Sequence, residues 1–204
     1  HRFGGTVLRF GGRFFGSGGR FLAGHGTVPW PTIPVQTPAM DERVALYGED
    51  GRPTGEVVDR ARMRAENLRH AATHVAVRNA EGLVYVHRRT ETKDVHPGRY
   101  DFTAGGVLQA GEEPDASAVR ELAEELGITG VELVRLFETD YADEHTRFHA
   151  FCYECRWDGP VRWQPEEVAW GGWVTPRRLR EMIAELPFMP DAVANLRPWL
   201  ESLS

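Results

Sequence analysis

From Asp41 onward the apolar residues fall into short alternating runs separated by glycine-bearing turns, and one longer stretch keeps helical spacing. Val44 to Tyr47 and Gly55 to Val58 flank Gly48-Glu49-Asp50-Gly51 and read as a hairpin. Arg60 to Leu68 follows as a short helix. A second hairpin is expected from Ala72 to Arg78 and Leu83 to His87, around Asn79-Ala80-Glu81-Gly82. Tyr100 to Thr103 reads as a strand that runs into a glycine loop, Gly105 to Glu112, and then into the helical stretch. Further strands are expected near Val131 to Thr139, Arg147 to Arg156 and Ala169 to Val174. Thr175-Pro176 opens a helix to about Ala184, and Asp191 to Leu196 starts a last one. Strands with one helix inserted, then more strands and helices, predict an α+β or α/β sandwich.

The helical stretch carries the chemistry. Pro114 stands where a first turn tolerates it, Ala116 to Leu126 has no interior glycine or proline, and Gly127 reads as the stop. Val119, Leu122 and Leu126 share a side and are expected to face the core. Glu121, Glu124 and Glu125, three and four residues apart, crowd another side. Like charges at that spacing cost a helix about 0.2–0.5 kcal/mol per pair. A hard cation reverses the balance, because Mg²⁺ prefers oxygen ligands and is often shared between a few carboxylates and substrate phosphates.

Reduced to its fixed points, the segment is Gly106, five residues, Glu112, seven residues, then Arg120-Glu121-Leu122-x-Glu124-Glu125-x-Gly127-Ile128. This resembles the Nudix box, G-x5-E-x7-R-E-U-x-E-E-x-G-U with U aliphatic, at every position. The resemblance implies an α/β/α sandwich with a mixed central sheet. It also implies Mg²⁺, or Mn²⁺ in its place, held by Glu121, Glu124, Glu125 and the carbonyl of Gly105, with Arg120 paired to Glu112. A metal-bound water would attack a diphosphate, and a carboxylate would take its proton. Glu121 and Glu167, the latter within Pro165-Glu166-Glu167-Val168, are the two candidates for that base.

Composition sets wider bounds. The chain has 204 residues, enough for one well-filled domain with extra segments. At −6 the formal charge argues against bulk nucleic-acid binding, and no apolar run is long enough to span a bilayer. The first 39 residues differ from the rest: four arginines, no lysine, no acidic residue, Arg-Phe-Gly-Gly at 2–5 and again at 9–12, then Pro29, Pro31, Pro34 and Pro38. Glycine and proline at this density argue against a packed core. An RNA-touching arm, a targeting peptide and a flexible, non-native extension all fit. The last is favoured, because the chain starts at His1 and Met40 stands just ahead of the domain-like sequence. The expected division is therefore residues 1–39 as extension and 40–204 as the hydrolase domain. Cys152 and Cys155 lie on an expected strand, so their side chains should point to opposite faces rather than form a metal pair. Two cysteines suit a reducing cytoplasm.

The likeness runs from about Asp41 to Val174, over Leu68 to His74, Arg88-Arg89-Thr90-Glu91-Thr92-Lys93 and Pro97-Gly98. These look like the branch close to isopentenyl-diphosphate isomerase, to which the YfcD-type hydrolases belong. That isomerase carries a catalytic cysteine and a metal-binding histidine where this chain has Gly105 and Val107, and the paired glutamates of its next strand are missing around Phe148 to Cys152. His70 matches one metal histidine but reads as structural by itself. Arg88, Arg89 and Lys93 are candidate phosphate contacts, since guanidinium groups bond phosphate oxygens in pairs. Tyr100, Phe102, Phe137, Tyr141 and Trp170 are stacking candidates that fit the core equally well. A ligand sensor that has lost catalysis is the other reading, against which all the box carboxylates are intact. The expectation is a cytoplasmic Mg²⁺-dependent pyrophosphohydrolase acting on a nucleoside diphosphate linked to another group. Its partner is a small diphosphate, not nucleic acid or a membrane, and a homodimer is compatible with the resemblance.

Overall fold

The computed structural model describes residues 42–93 and 95–203, so the expected extension over residues 1–39 lies outside them. The elements in chain order are β1 (Arg43–Tyr47), β2 (Pro53–Asp59), α1 (Arg60–Ala65), β3 (His70–Arg78), β4 (Val84–Arg89), β5 (Tyr100–Asp101), β6 (Thr103–Ala104), α2 (Pro114–Leu126), β7 (Leu133–Ala142), β8 (Arg147–Arg156), β9 (Val168–Val174), α3 (Pro176–Glu185) and α4 (Pro190–Ser202). β1 and β2 make the expected hairpin, a separate two-stranded sheet. With α1 it closes a small apolar cluster of Val44, Val58 and Met63. The helix is shorter than expected and ends before Asn67, which has a positive φ of 47°.

The large sheet is mixed. β3 runs parallel to β8, while β4 with β9 and β7 with β8 are antiparallel. The second hairpin is only partly as expected. β3 and β4 pair at Arg78 and Val84 and then part. The β5–β6 run lies between them, β5 bonded to β4 and β6 to β3. The reason is local: the chain bends at Phe102, so the expected strand becomes two short ladders on different neighbours. That wedge carries the backbone into the glycine loop.

Side-chain alternation sorts the strands onto two faces. On one face Ala71, Val75, Val77, Tyr85 and Ala104 pack against Ala118, Leu122 and Leu126 of α2. On the other, Val84, Val86, Phe102 and Phe148 pack against Leu179 and Met182 of α3 and Leu196 and Trp199 of α4. The result is a three-layer α/β/α sandwich. Cys152 belongs to the second cluster and Cys155 to the first, on opposite faces as the alternation requires. Burial pushes both thiols up to about 12.

α2 begins with Pro114 in its first turn and ends at Gly127, whose left-handed backbone (φ 64°) returns its N–H to Ala123 O. One expectation fails: Val119 is 47% exposed. The buried stripe is Ala118, Leu122 and Leu126, spaced four and four, and Val119 is rotated about 100° from Ala118 around the helix. Burying Leu122 and Leu126 stabilises the docked helix by about 1.5–3 kcal/mol each, which offsets the crowding of its carboxylates.

Candidate active site

β6 delivers Gly105 and Gly106 against β3 with no room for a side chain. A Cβ on Gly105 would come within 1.9 Å of the Thr73 carbonyl oxygen, and one on Gly106 within 2.5 Å of Glu121 Oε1. Thr73 N–H donates to Gly106 O at 2.9 Å, which sews the strap to the sheet. The Gly105 N–H donates to Glu125 Oε2 at 3.2 Å. The two glycines thus let the carboxylates of α2 lie directly on backbone.

Arg120 organises the acidic groups. Its Nε and Nη2 grip Glu112 as a fork at 2.8 and 3.0 Å, and Nη1 reaches Glu121 at 2.7 Å and Glu124 at 3.1 Å. Glu112 also accepts the Gln109 N–H at 3.0 Å, which ties the loop to the helix. Burial pushes the Glu112 carboxyl up, but the Arg120 fork and the Gln109 N–H outweigh it and hold it below the ordinary range. Glu121 is raised by burial despite Arg120. Glu125 is raised well above the carboxylate range, first by burial and then by Glu121, Glu167 and Asp101 around it. Against these, the hydrogen bond from the Gly105 N–H favours the ionised Glu125 carboxylate.

Among the described residues no three His, Cys, Asp or Glu side chains converge tightly enough to hold an ion as they stand. Glu121 and Glu124 are turned onto Arg120 instead. The donor set nevertheless fits a hard divalent cation: three carboxylates and peptide oxygens on one strap, with Glu125 in need of a positive charge.

The structure unites six of the residues singled out in the sequence, Gly105, Glu112, Arg120, Glu121, Glu124 and Glu125. Glu167 acts on Glu125 electrostatically and pairs with Lys93 at 2.7 Å. Thr90 fastens the same two loops, its N–H to Glu167 O at 3.0 Å and its hydroxyl to Glu166 O at 2.9 Å. Arg88 binds the Gly98 carbonyl and the Glu91 carboxylate and lies over the Tyr100 ring. Arg89 donates to Val95 O at 3.1 Å, and its Nε has no partner among the described residues. Phe102 is core, whereas Trp170 is 45% exposed beside Tyr100. His70 is buried and neutral, its pKa lowered to about 4 by burial, as a structural residue requires.

Several buried polar residues escaped the sequence reading, two of them directly opposed. His87 and Asp101 face each other across β4 and β5. Burial, with Arg89 and Lys93, lowers His87 to about 3. Burial and Asp191 raise Asp101 to about 7, against two hydrogen bonds from Thr103. The available signal was an aspartate between two aromatic residues in an expected strand, Tyr100-Asp101-Phe102.

Comparison with known proteins agrees with this geometry. The family model described as NUDIX domain matches residues 68–199. The uncharacterized Nudix hydrolase orf19 of Rhodococcus erythropolis is 40% identical over 168 residues, covering 76% of this chain and 90% of that protein. The uncharacterized Nudix hydrolase YfcD of Escherichia coli K12 is 38% identical over 163 residues, 80% of this chain and 89% of the relative. Among solved structures, that of DR0079 from Deinococcus radiodurans aligns with a TM-score of 0.64 and 25% identity, over 77% of this chain and 98% of the other.

Proposed function

The chain belongs to the Nudix hydrolase family, enzymes that open acid anhydride bonds in phosphorus compounds, and from that membership we propose a Mg²⁺-dependent pyrophosphohydrolase that cleaves a nucleoside diphosphate linked to a further group. The observation that carries the proposal is Glu121 and Glu125 lying against the Gly105–Gly106 backbone, with Glu124 joined to Glu121 through Arg120 and with acidic neighbours around Glu125. These carboxylates and the Gly105 carbonyl would hold Mg²⁺, or Mn²⁺ in its place. Bound there, the ion would screen phosphate oxygens and lower the pKa of a water.

The chain's own groups do the rest. Arg120, fixed by Glu112, sets the spacing of Glu121 and Glu124. Glu167 accepts the proton of the attacking water, and Glu121 is the alternative base. Lys93, Arg89 and Arg88 supply positive charge to the phosphates. Lys93 already neighbours Glu167, so base and phosphate anchor would sit side by side. An isomerase loses support because the position matching its cysteine is Gly105, where no side chain fits. No described helix is long and apolar enough to cross a bilayer.

The test is a panel of nucleoside di- and triphosphates, nucleotide sugars, dinucleotides and isopentenyl diphosphate, read by phosphorus and proton NMR with Mg²⁺ and with EDTA. The proposal expects Mg²⁺-dependent scission of a nucleotide derivative, with isopentenyl diphosphate unchanged. Isomerisation of isopentenyl diphosphate, or binding without turnover across the panel, would replace it with the isomerase or the sensor.

A further inference from the structure

Beneath the strap that carries Gly105 runs a chain of four buried polar side chains from three parts of the fold. Asn195 of α4 meets His74 Nε2 of β3 at 3.3 Å, and His74 Nδ1 meets Thr103 Oγ1 of β6 at 3.3 Å. The Thr103 hydroxyl and N–H both reach Asp101 Oδ1 at 2.9 Å. All four residues are at most 8% exposed.

The direction of every bond follows from the donor inventory. The Asn195 amide nitrogen only donates, so His74 Nε2 accepts and Nδ1 carries the ring proton. Burial keeps His74 neutral, as that tautomer requires. Thr103 Oγ1 then accepts from His74 and gives its own proton to Asp101, whose ionised carboxylate only accepts. The polarity runs one way, from α4 to the edge of the site.

Thr103 lies two residues before Gly105, whose N–H bonds Glu125. β6 itself is only two residues long and pairs β3 at Ala104 and Thr103. Backbone bonds tie the strap again beyond Gly105, at Gly106 O and Leu108 N, and the side-chain chain adds a tie on the near side, at Thr103. We infer that Asn195, His74 and Thr103 are positioning residues, a one-way hydrogen-bond relay that sets the backbone at Gly105 and thereby the geometry of the carboxylate site. The inference rests on the metal-site reading proposed above. Groups that orient metal ligands typically change affinity about 10- to 100-fold when removed.

The test measures Mn²⁺ affinity by electron paramagnetic resonance at pH 8.5, where Asp101 is ionised. Thr103→Val should weaken binding about tenfold and Thr103→Ser should restore it. Asn195→Ala, far from the carboxylates and the safer variant if Thr103→Val fails to fold, should also weaken it. Tyr85→Phe is the matched control. Its hydroxyl is buried on β4 with no partner among the described residues, so affinity should stay at the wild-type value. Folded Thr103→Val or Asn195→Ala with wild-type affinity, or equal weakening by Tyr85→Phe, would overturn the relay. Absence of Mn²⁺ binding by the wild type would strike the metal-site reading instead. Amide exchange at Gly105 in metal-free protein then decides the relay: faster in Thr103→Val and Asn195→Ala but not in Tyr85→Phe supports it, and equal exchange overturns it.

Discussion

Glu125→Gln should make the metal-free protein more stable while removing its response to Mg²⁺. Glu125 is pushed up by burial and by three acidic neighbours, and the hydrogen bond it accepts from the Gly105 N–H is one that a glutamine oxygen can also accept. Its raised carboxyl binds a proton more readily folded than unfolded. Its contribution is therefore present at low pH and is lost as pH rises from the ordinary 4.5 through the raised folded value. At pH 8 the wild type carries more of that penalty than at pH 5, and the glutamine carries none at either. Replacing a buried ion pair by apolar residues of similar volume often stabilises by about 1–4 kcal/mol; neutralising one buried carboxylate is taken at the lower half of that scale, and relief of the Glu121–Glu125 pair adds about 0.2–0.5 kcal/mol. A net gain of about 2 kcal/mol corresponds to a Tm rise of about 4–8 °C for a chain of this size. With Mg²⁺ at about a hundred times Kd, the wild type gains about 2.7 kcal/mol and the variant little, so the order inverts. Calorimetry at pH 5 and pH 8, in EDTA and in Mg²⁺, reads all four states. A variant less stable than wild type in EDTA at pH 8, or one that still gains with Mg²⁺, would refute the reasoning.

Gly106→Ala should keep its fold within about 1 kcal/mol, as peripheral substitutions do, because its Cβ meets the movable end of Glu121. Its Mn²⁺ affinity should fall about tenfold by titration, since that end is a proposed ligand. Gly105→Ala meets the Thr73 carbonyl instead; urea unfolding should report a loss of about 1–3 kcal/mol, the range for overpacking. Asp101→Asn should flatten the acid side of the stability profile: Asp101 rises from 3.8 to about 7, so its contribution is lost as pH climbs through that window, and the variant should lack the decline in thermal melts. Lys93→Met should raise KM for the substrate more than it lowers kcat if the lysine anchors phosphate, and steady-state kinetics separates the two.

The helix and its acidic face were legible because both rest on spacings of three and four residues. The cysteines on opposite faces of β8 were legible from alternation. Val119 was misjudged because Ala118, small and easily overlooked, defines the buried stripe. The parting of β3 from β4 was hidden because hairpin signals report the turn, and here the ladder beyond it is occupied by β5 and β6. The rest of the site depends on distant partners. Lys93 meets Glu167 across 74 positions and Asn195 meets His74 across 121, and no local pattern encodes either. The arginine- and glycine-rich residues 1–39 lie outside the described residues.

The central claim is that the α2 carboxylates hold the ion that drives diphosphate hydrolysis. Its most direct test is Mg²⁺-dependent turnover of the best substrate on the nucleotide panel, wild type beside Glu125→Gln, with both proteins shown folded. The account predicts measurable hydrolysis by the wild type and a loss of about a thousandfold or more in kcat for the variant, on the scale of losing transition-state charge stabilisation. Equal turnover by the two proteins would contradict it.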